Sequence, residues 1–282
     1  RHRLGNTETT DLWDAIEETT GEPVRRIMGS WIDQPGFPVV RRDGATLRQE
    51  RFTYAPGAEP VTYAVPIVAR VHHGGTTETR RVLLGAEPAP FAVPDDALVV
   101  LDDGGEGFYR VAATAGERER LLTAGVLSPL ERFTVVDDCW AGVLAGTTPA
   151  AEFLACARLL GAERELVVWR GLGAHLRTAG RLVTGAALDA YRGAVAEIAA
   201  PALADLGWLP AAGEDDRTRQ LRGLLITLLG AFAREPGVVE RARALLDGDA
   251  DLDADVAAAA VNVVAHTGDG SDFDRFAHRA AD

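Results

Sequence analysis

The sequence predicts a multidomain α and β protein, in which a short helical tail leads into a small antiparallel β-sandwich and then into an α-solenoid-like helical domain. Two observations support this prediction. Short extended segments, separated by Gly, Pro or Asp, run from Phe37 to about Val111, and segments with helical periodicity follow Thr114. The predicted domains are 1–35, 36–114 and 115–282.

The helical tail consists of two short predicted helices. Thr10 is positioned to cap the first, which runs to about Glu18 and places Leu12 and Ile16 on one face. The second begins at Pro23, because proline is favoured in the first turn of a helix. Its apolar residues recur at the spacing of one buried stripe: Val24, Ile27, Met28 and Trp31. The stretch DQPGFP then ends the helix, since proline cannot continue it.

About seven short strands are predicted for the sandwich. Asp43-Gly44 stands between two extended runs, which is the signature of a β-hairpin. From Tyr63 to Val71 apolar side chains occupy alternate positions, as in a half-buried strand. The glycines of DDGGEGFYRV are expected to form a hairpin turn, because no helix follows them to build a phosphate-binding loop.

Helices dominate the sequence after Thr114. Ser128-Pro129-Leu130-Glu131 combines a capping box with proline at the first helical position, which predicts a helix start. Further helices are predicted at 149–160, 164–178, 185–206, 215–233, 236–246, 253–266 and 271–281. Each pair of helices takes roughly 40 residues, a rhythm typical of antiparallel pairs stacked in an α-solenoid of the HEAT or armadillo type.

The composition excludes several classes of function. The 282 residues carry a net charge of -13, which argues against nucleic acid and against an anionic membrane as partners. All 29 cations are arginine, so the chain has neither a Schiff-base lysine nor a phosphate-loop lysine. No apolar run approaches the ~20 residues of a membrane span. Cys139 and Cys156 are expected to be buried thiols in a reducing compartment, which favours the cytoplasm.

The sequence assigns no catalytic, metal-binding or substrate-binding residue. Six histidines form no helical zinc pair, and each is expected to be solvated or to cap a helix: His2, His72, His73, His175, His266 and His278. Asp247 to Val256 resembles the opening of a calcium loop, but Leu252 and Ala258 stand where Gly and Glu are required. The stretch is therefore expected to be an acidic turn, with Asp253 near the start of the next helix.

Three arginines are predicted to line one side of a helix: Arg170, Arg177 and Arg181. Two interpretations stay open for them. They form either an ordinary solvated face or a surface that binds a ligand.

The first part of the chain carries a more specific pattern. NTETTDLWDAIEETTGEPVRRIMGSWIDQPGFPVV resembles the closing helices of the catalytic domain in zinc aminopeptidases of the aminopeptidase N and puromycin-sensitive aminopeptidase family. The corresponding positions are Asp11, Leu12, Trp13, Met28, Trp31, Gln34, Gly36, Pro38 and Val40. GFYRV at 107–111 is similar to the last strand of that family's sandwich, and LSPLERFTVVDDCWAGVLAG at 127–146 to the first helix of its C-terminal helical domain.

The resemblance implies that the chain is the non-catalytic C-terminal portion of such an enzyme, truncated at both ends. Zinc, and the hydrolysis of N-terminal residues from peptide substrates, would belong to this parent enzyme. The family's HExxH motif, its third glutamate ligand, its GxMEN motif and its transition-state tyrosine would lie in an upstream catalytic domain, the partner of this portion; none has a counterpart here. The portion itself is expected to need no cofactor, to be inactive alone, and to space and cover the active site so that peptide access is restricted.

An independent protein-binding scaffold is the alternative. In that case the sandwich and the solenoid would hold a partner along a concave surface, without enzymatic activity. The apolar stripe of the first two helices argues against this alternative, because a natural scaffold would not leave it uncovered.

Overall fold

The computed structural model describes residues 5–55, 57–248 and 252–279. The chain divides into two units: the first is Arg1–Glu131 with Ala141–Pro149, and the second is Arg132–Trp140 with Ala150–Asp282. The predicted mixture of α and β is confirmed, since eleven α-helices accompany a small, mainly antiparallel sheet region in the described residues. The predicted boundaries after residues 35 and 114 remain predictions.

The helices and strands have the following bounds. The α-helices are α1 (Thr9–Thr20), α2 (Val24–Ile32), α3 (Ala115–Thr123), α4 (Pro129–Leu144), α5 (Ala150–Arg158), α6 (Leu166–Leu182), α7 (Ala186–Leu206), α8 (Asp216–Thr227), α9 (Pro236–Asp247), α10 (Ala254–Thr267) and α11 (Gly270–Arg279). The strands are β1 (Pro38–Asp43), β2 (Thr46–Arg51), β3 (Val65–His73), β4 (Thr76–Leu84), β5 (Ala89–Pro90), β6 (Leu98–Val100) and β7 (Arg110–Val111). None of the helices in the described ranges has both the length and the apolar character required to cross a membrane.

Two sheets make up the β-region of the first unit. One has the order β5-β2-β1-β7 and the other the order β4-β3-β6. Val40 and Leu47 from the first sheet and Val65 and Ile67 from the second belong to one buried cluster, so the two sheets share a hydrophobic core. The predicted hairpin at Asp43-Gly44 is confirmed, because β1 and β2 pair in antiparallel register around it.

The hairpin turn predicted for the glycines of DDGGEGFYRV is wrong. β6 pairs with β3, whereas β7 lies in the other sheet and pairs with β1 in parallel. Between them the chain crosses from one sheet to the other through a short 3₁₀ turn, Asp103–Gly105. Gly104 and Gly105 have φ of 82° and 69°, a left-handed conformation that glycine adopts without strain.

The second unit is helical and buries its own core. Trp169, Leu172 and Leu176 of α6 are fully buried. The helix predicted at 215–233 is present, but α8 ends at Thr227 and the last turn, Leu228–Phe232, is π-helical. In that turn the Ala233 N–H donates to the Leu228 carbonyl, five residues back.

Candidate functional site

The chemistry-bearing side chains singled out in the sequence do not converge. Within the described residues, no three His, Cys, Asp or Glu side chains lie close enough to hold a metal ion, so no donor set there fits a zinc ion. His73 Nε2 lies 3.1 Å from Asp96 Oδ1, and both side chains are exposed. His266 contacts the Asn262 carbonyl one turn away in α10. His2 lies outside the described residues.

Two other stretches discussed above also show no arrangement of a binding site in the described residues. The predicted acidic turn at 247–256 lies partly outside the described residues, at 249–251. Asp253 is the N-cap of α10 and accepts hydrogen bonds from the N–H groups of Asp255 and Val256. Arg170, Arg177 and Arg181 all lie on α6, and Arg170 Nη2 donates to Gln220 Oε1 over 2.7 Å.

His175 is more enclosed than the sequence indicated. Its Nε2 lies 3.0 Å from Asp137 Oδ1, which belongs to α4. Its ring stacks on Trp140 at a centroid distance of 5.6 Å and meets the edge of Phe153. A histidine–carboxylate pair occurs in many hydrolytic sites, but it acts there on a nucleophile held beside it. Here the pair and its aromatic neighbours join α4 to α6.

An open groove of about 910 Å³ in the first unit resembles a binding surface. Its apolar lining residues are Ile27, Met28, Trp31 and Ile32 of α2 and Pro66, Val68, Phe108 and Tyr109 of the β-region. Its charged lining residues are Arg81, Asp102, Asp103 and Glu106. The groove therefore combines apolar walls with a mainly acidic rim.

A continuous series of six aromatic side chains runs beside and into this groove. Neighbouring ring centroids lie between 5.0 and 5.8 Å apart in the order Tyr54, Phe52, Phe37, Phe108, Trp31 and Tyr63. We call these six residues the aromatic series. The Arg110 guanidinium lies over two of its rings.

Hydrogen bonds fix the inner end of the aromatic series. Trp31 Nε1 donates to the Ala64 carbonyl over 3.0 Å, and the Tyr63 hydroxyl donates to the Pro35 carbonyl over 2.9 Å. Two other members of the series are exposed, Phe108 by 74% and Tyr54 by 57%. An aromatic surface with exposed members is typical of a protein–protein contact.

Asp102 is the most perturbed carboxyl group of the groove. Burial raises its pKa to about 6, the Gly107 N–H opposes that change, and the nearby carboxylates of Glu131, Glu106 and Asp103 add to it. The hydrogen bond from Gly107 to Asp102 Oδ1 is 2.7 Å long. A side chain at position 107 would clash with Asp102 and Tyr109, so glycine is required for this close approach.

Glu131 is hydrogen-bonded to the turn that lines the groove. Burial alone would raise its pKa, but hydrogen bonds from Arg70 and from the N–H groups of Gly104 and Ser128 outweigh burial and lower the pKa to about 2. Arg70 also pairs with Asp103 and donates to the Val126 carbonyl. The predicted capping box of Ser128 and Glu131 is confirmed, and the same glutamate positions the turn that carries Asp103.

These features define a β-sandwich followed by a helical domain, with an open groove and no described catalytic cluster. Residues 98–282 match the family described as the ERAP1-like C-terminal domain, and the chain belongs to that family. This match, together with the aminopeptidase relatives below, confirms the resemblance seen in the sequence to the C-terminal region of that enzyme family.

Three relatives illustrate the match. The chain is 28% identical to a puromycin-sensitive aminopeptidase of Caenorhabditis elegans over 98% of its own length and 31% of that protein. It is 29% identical to aminopeptidase M1-A of Oryza sativa subsp. japonica over 84% of its length and 29% of that protein. It is 31% identical to the tricorn protease-interacting factor F2 of Thermoplasma acidophilum over 55% of its length and 19% of that protein. The chain thus spans about a third or less of each of these relatives.

Proposed function

We propose that the chain is the non-catalytic C-terminal portion of a zinc aminopeptidase, the parent protein, which removes N-terminal residues from peptides. In this proposal the portion spaces and covers the active site and restricts the access of peptides. The observation that carries the proposal is the alignment of 98% of the chain with a puromycin-sensitive aminopeptidase.

The helical contacts of the second unit support a solenoid as the covering element. α5 contacts α7, α6 contacts α8, and α8 contacts α10. These contacts between alternate helices, together with contacts between successive helices such as α7 and α8, support an arrangement in two stacked layers. We therefore propose the HEAT or armadillo type of α-solenoid for this region.

The chemistry is assigned to the preceding part of the parent protein. Peptide hydrolysis of this class uses a zinc-activated water and a general base. The HExxH sequence that would supply zinc ligands and base does not occur in these 282 residues, so the chain alone is proposed to be inactive. A cytoplasmic location is proposed as well, and the two buried thiols, which form no disulfide, support it.

Aminopeptidase assays on two proteins test the assignment. This chain and the protein encoded by the complete open reading frame are incubated with zinc and a set of fluorogenic aminoacyl substrates. Activity in the longer protein alone supports the proposal. Cleavage by the short chain would mean that it holds a catalytic site of its own, and inactivity of both would favour the independent scaffold.

Access restriction needs a separate measurement. The active parent protein is given three substrates with the same N-terminal residue: an aminoacyl amide, an unfolded peptide and a small folded protein. A covered active site predicts a steep fall of kcat/KM for the folded substrate alone. Equal values for the unfolded peptide and the folded protein would contradict the covering role.

A further inference from the structure

The two sheets of the first unit end in four edge strands, and three of these strands are short. β5 and β7, the edges of the first sheet, have two residues each. β6, at one edge of the second sheet, has three residues and contacts α3. β4, at the other edge, has nine residues. Natural proteins shorten or cover their edge strands, because the unpaired backbone groups of an edge bind other strands. β4 is therefore the one long edge in the part of the chain that the structure describes.

The outer edge of β4 is regular and open. β4 pairs with β3 over its whole length without a bulge, so a regular row of backbone groups points away from β3. Among the described residues, no backbone hydrogen bond joins this row to another segment, whereas the Leu84 carbonyl at the end of the strand accepts from the Gln49 side chain. Residues 76–79 and Arg81 are exposed. Another strand can therefore add to this edge.

The side chains of β4 make the strand complementary to a second copy of itself. A two-fold axis normal to the sheet places two antiparallel copies side by side and brings residues of the same face opposite one another. With the axis at Thr79, the two copies of Thr79 are opposite each other, and Glu78 of each copy is opposite Arg80 of the other. The remaining pairs are Thr77 with Arg81 and Thr76 with Val82.

Charge favours this register over its neighbours. Opposite charges and pairs of threonine stabilise an antiparallel sheet when they are directly opposite, and like charges destabilise it. An axis at Glu78, Arg80 or Arg81 would bring two like charges directly opposite each other, whereas an axis at Thr79 gives two Glu–Arg pairs. Glu78 Oε2 and Arg80 Nη2 already lie 2.9 Å apart within one copy, so the four side chains would form one network.

We propose that two copies of the chain associate through β4, in antiparallel register about Thr79. Their second sheets then form one continuous sheet in the order β6-β3-β4-β4-β3-β6. Because β4 is the one long edge of the described sheets, the association closes at two copies and does not continue into a fibre. The inference does not rest on the proposed function, since every residue of this interface belongs to the chain itself.

The association is expected to be weak. The net charge of -13 on each copy opposes it, although this repulsion is screened beyond about 8 Å at physiological ionic strength. A single pair of strands buries little area, so the dissociation constant is expected to be on the order of 100 μM.

Thr79→Cys tests the register directly. The two introduced thiols would be opposite each other across the axis, where Cβ atoms lie about 4.5 to 5.5 Å apart and a disulfide can form. Thr77→Cys is the matched control, because Thr77 is exposed on the same face of β4 but its two copies would lie about 14 Å apart. With oxidised glutathione, Thr79→Cys is expected to form a covalent dimer at least about fivefold faster than Thr77→Cys, as measured on non-reducing gels. Equal rates would overturn the proposal.

Exchange of charge at the Glu–Arg pairs provides an independent measurement. Glu78→Arg leaves arginines opposite each other and Arg80→Glu leaves glutamates opposite each other. Each variant alone is therefore expected to raise the dissociation constant at least about tenfold in sedimentation equilibrium. An equimolar mixture of the two variants restores both opposite-charge pairs, so its heterodimer is expected to have a dissociation constant within about threefold of the wild-type value.

The mixture also shows that the variants fold. Arg80→Glu loses the position of the guanidinium over the Phe91 ring and its hydrogen bond to the Ala92 carbonyl, so loss of its homodimer alone could reflect a damaged fold. Formation of the heterodimer excludes that explanation. A mixture that stays monomeric, or single variants that associate as the wild type does, would overturn the proposal.

The same measurements on the full-length parent show whether β4 is free in the intact protein. A dimer of the chain and of the parent, each trapped by a cysteine at position 79, supports the proposal. A wild-type chain that stays monomeric at 1 mM, roughly ten times the expected dissociation constant, would overturn it. A dimeric chain with a monomeric parent would also overturn it, because β4 would then be covered in the intact protein. The aminopeptidase assays test the proposed function separately, since none of these results depends on activity.

Discussion

The two units differ in how completely they bury their helices. In the second unit, α6 and α7 each bury at least six residues, including Trp169 and Ile198. In the first unit, α1 and α2 bury none. Because isolated helices of 9 to 12 residues gain little from propensity alone, α1 and α2 depend on packing for their stability. The comparison indicates that α6 and α7 belong to the core of the second unit, whereas α1 and α2 lie at the surface of the first.

Two buried charged groups, one in each unit, also differ. Arg222 of the second unit is fully buried, pairs with Glu214 at 2.5 and 2.7 Å, and donates to the carbonyls of Leu206 and Gly207. Its donors are thus matched within the unit. Asp102 of the first unit is 7% exposed; among the described residues it accepts one hydrogen bond, from the Gly107 N–H, and pairs with no cation.

The largest expected effect is a contrast between two phenylalanines. Phe153 of the second unit is 1% exposed and Phe108 of the first is 74% exposed. Phe153→Ala is expected to lower the free energy of unfolding by about 3 to 5 kcal/mol, and Phe108→Ala by less than about 0.5 kcal/mol, because only the first leaves a cavity. Urea denaturation of the isolated chain measures both. Similar losses would contradict the comparison between the units.

Breaking the buried ion pair of the second unit is expected to lower the free energy of unfolding by about 3 kcal/mol. Arg222→Ala leaves the Glu214 carboxylate and two carbonyls without their donor. Arg158→Ala is the control, since Arg158 and its partner Glu197 are largely exposed and such pairs contribute little. Equal midpoints of urea unfolding for the two variants would show that burial of the pair does not matter.

Glu131→Gln replaces the carboxylate that accepts hydrogen bonds from Arg70 and from the turn lining the groove. The substitution is expected to lower the free energy of unfolding by about 2 kcal/mol. The pKa of Glu131 is about 2 in the folded chain against an ordinary 4.5, so its contribution to stability is fully present above pH 4.5 and is lost as the pH falls toward 2. The difference in stability between the wild type and the variant should therefore be largest at pH 7 and smaller at pH 3. Glu119→Gln, an exposed change on α3, is the control, and a difference that did not depend on pH would contradict the assignment.

Asp102→Asn has the smallest expected effect, and unlike the preceding substitutions it is expected to stabilise the folded chain. The pKa of Asp102 is about 6 against an ordinary 3.8, so ionisation destabilises the folded chain as the pH rises from about 4 through 6. The variant keeps an acceptor for Gly107 and should be more stable than the wild type by about 1 to 2 kcal/mol at pH 7, but not at pH 4. Thermal unfolding at both pH values measures the change, with the exposed Asp95→Asn as control. A loss of stability at pH 7 would refute this account.

Local signals in the sequence predicted local structure well. The capping box at Ser128 and the hairpin at Asp43-Gly44 were predictable, because both depend on residues within four positions of one another. The π-helical turn at Leu228–Phe232 was not, since its residues have ordinary helical propensity.

The candidate site depends on contacts between distant positions. Arg70 and Glu131 lie 61 positions apart, and Trp31 and Phe108 come from a helix and a turn with no shared pattern. The sequence GFYRV indicated a strand, but the exposure of Phe108 follows from the crossing between the two sheets. Such contacts require the tertiary fold, which periodicity and propensity do not provide.

The reactivity of the buried cysteines can report how often the second unit opens. Cys139 and Cys156 are 2% and 4% exposed, and they are the only two cysteines in the sequence. A thiol-alkylating reagent therefore reaches either sulfur only after that part of the unit has opened. The rate of alkylation in native buffer gives the frequency of opening around α4 and α5 without denaturant, fluorescent label or engineered residue.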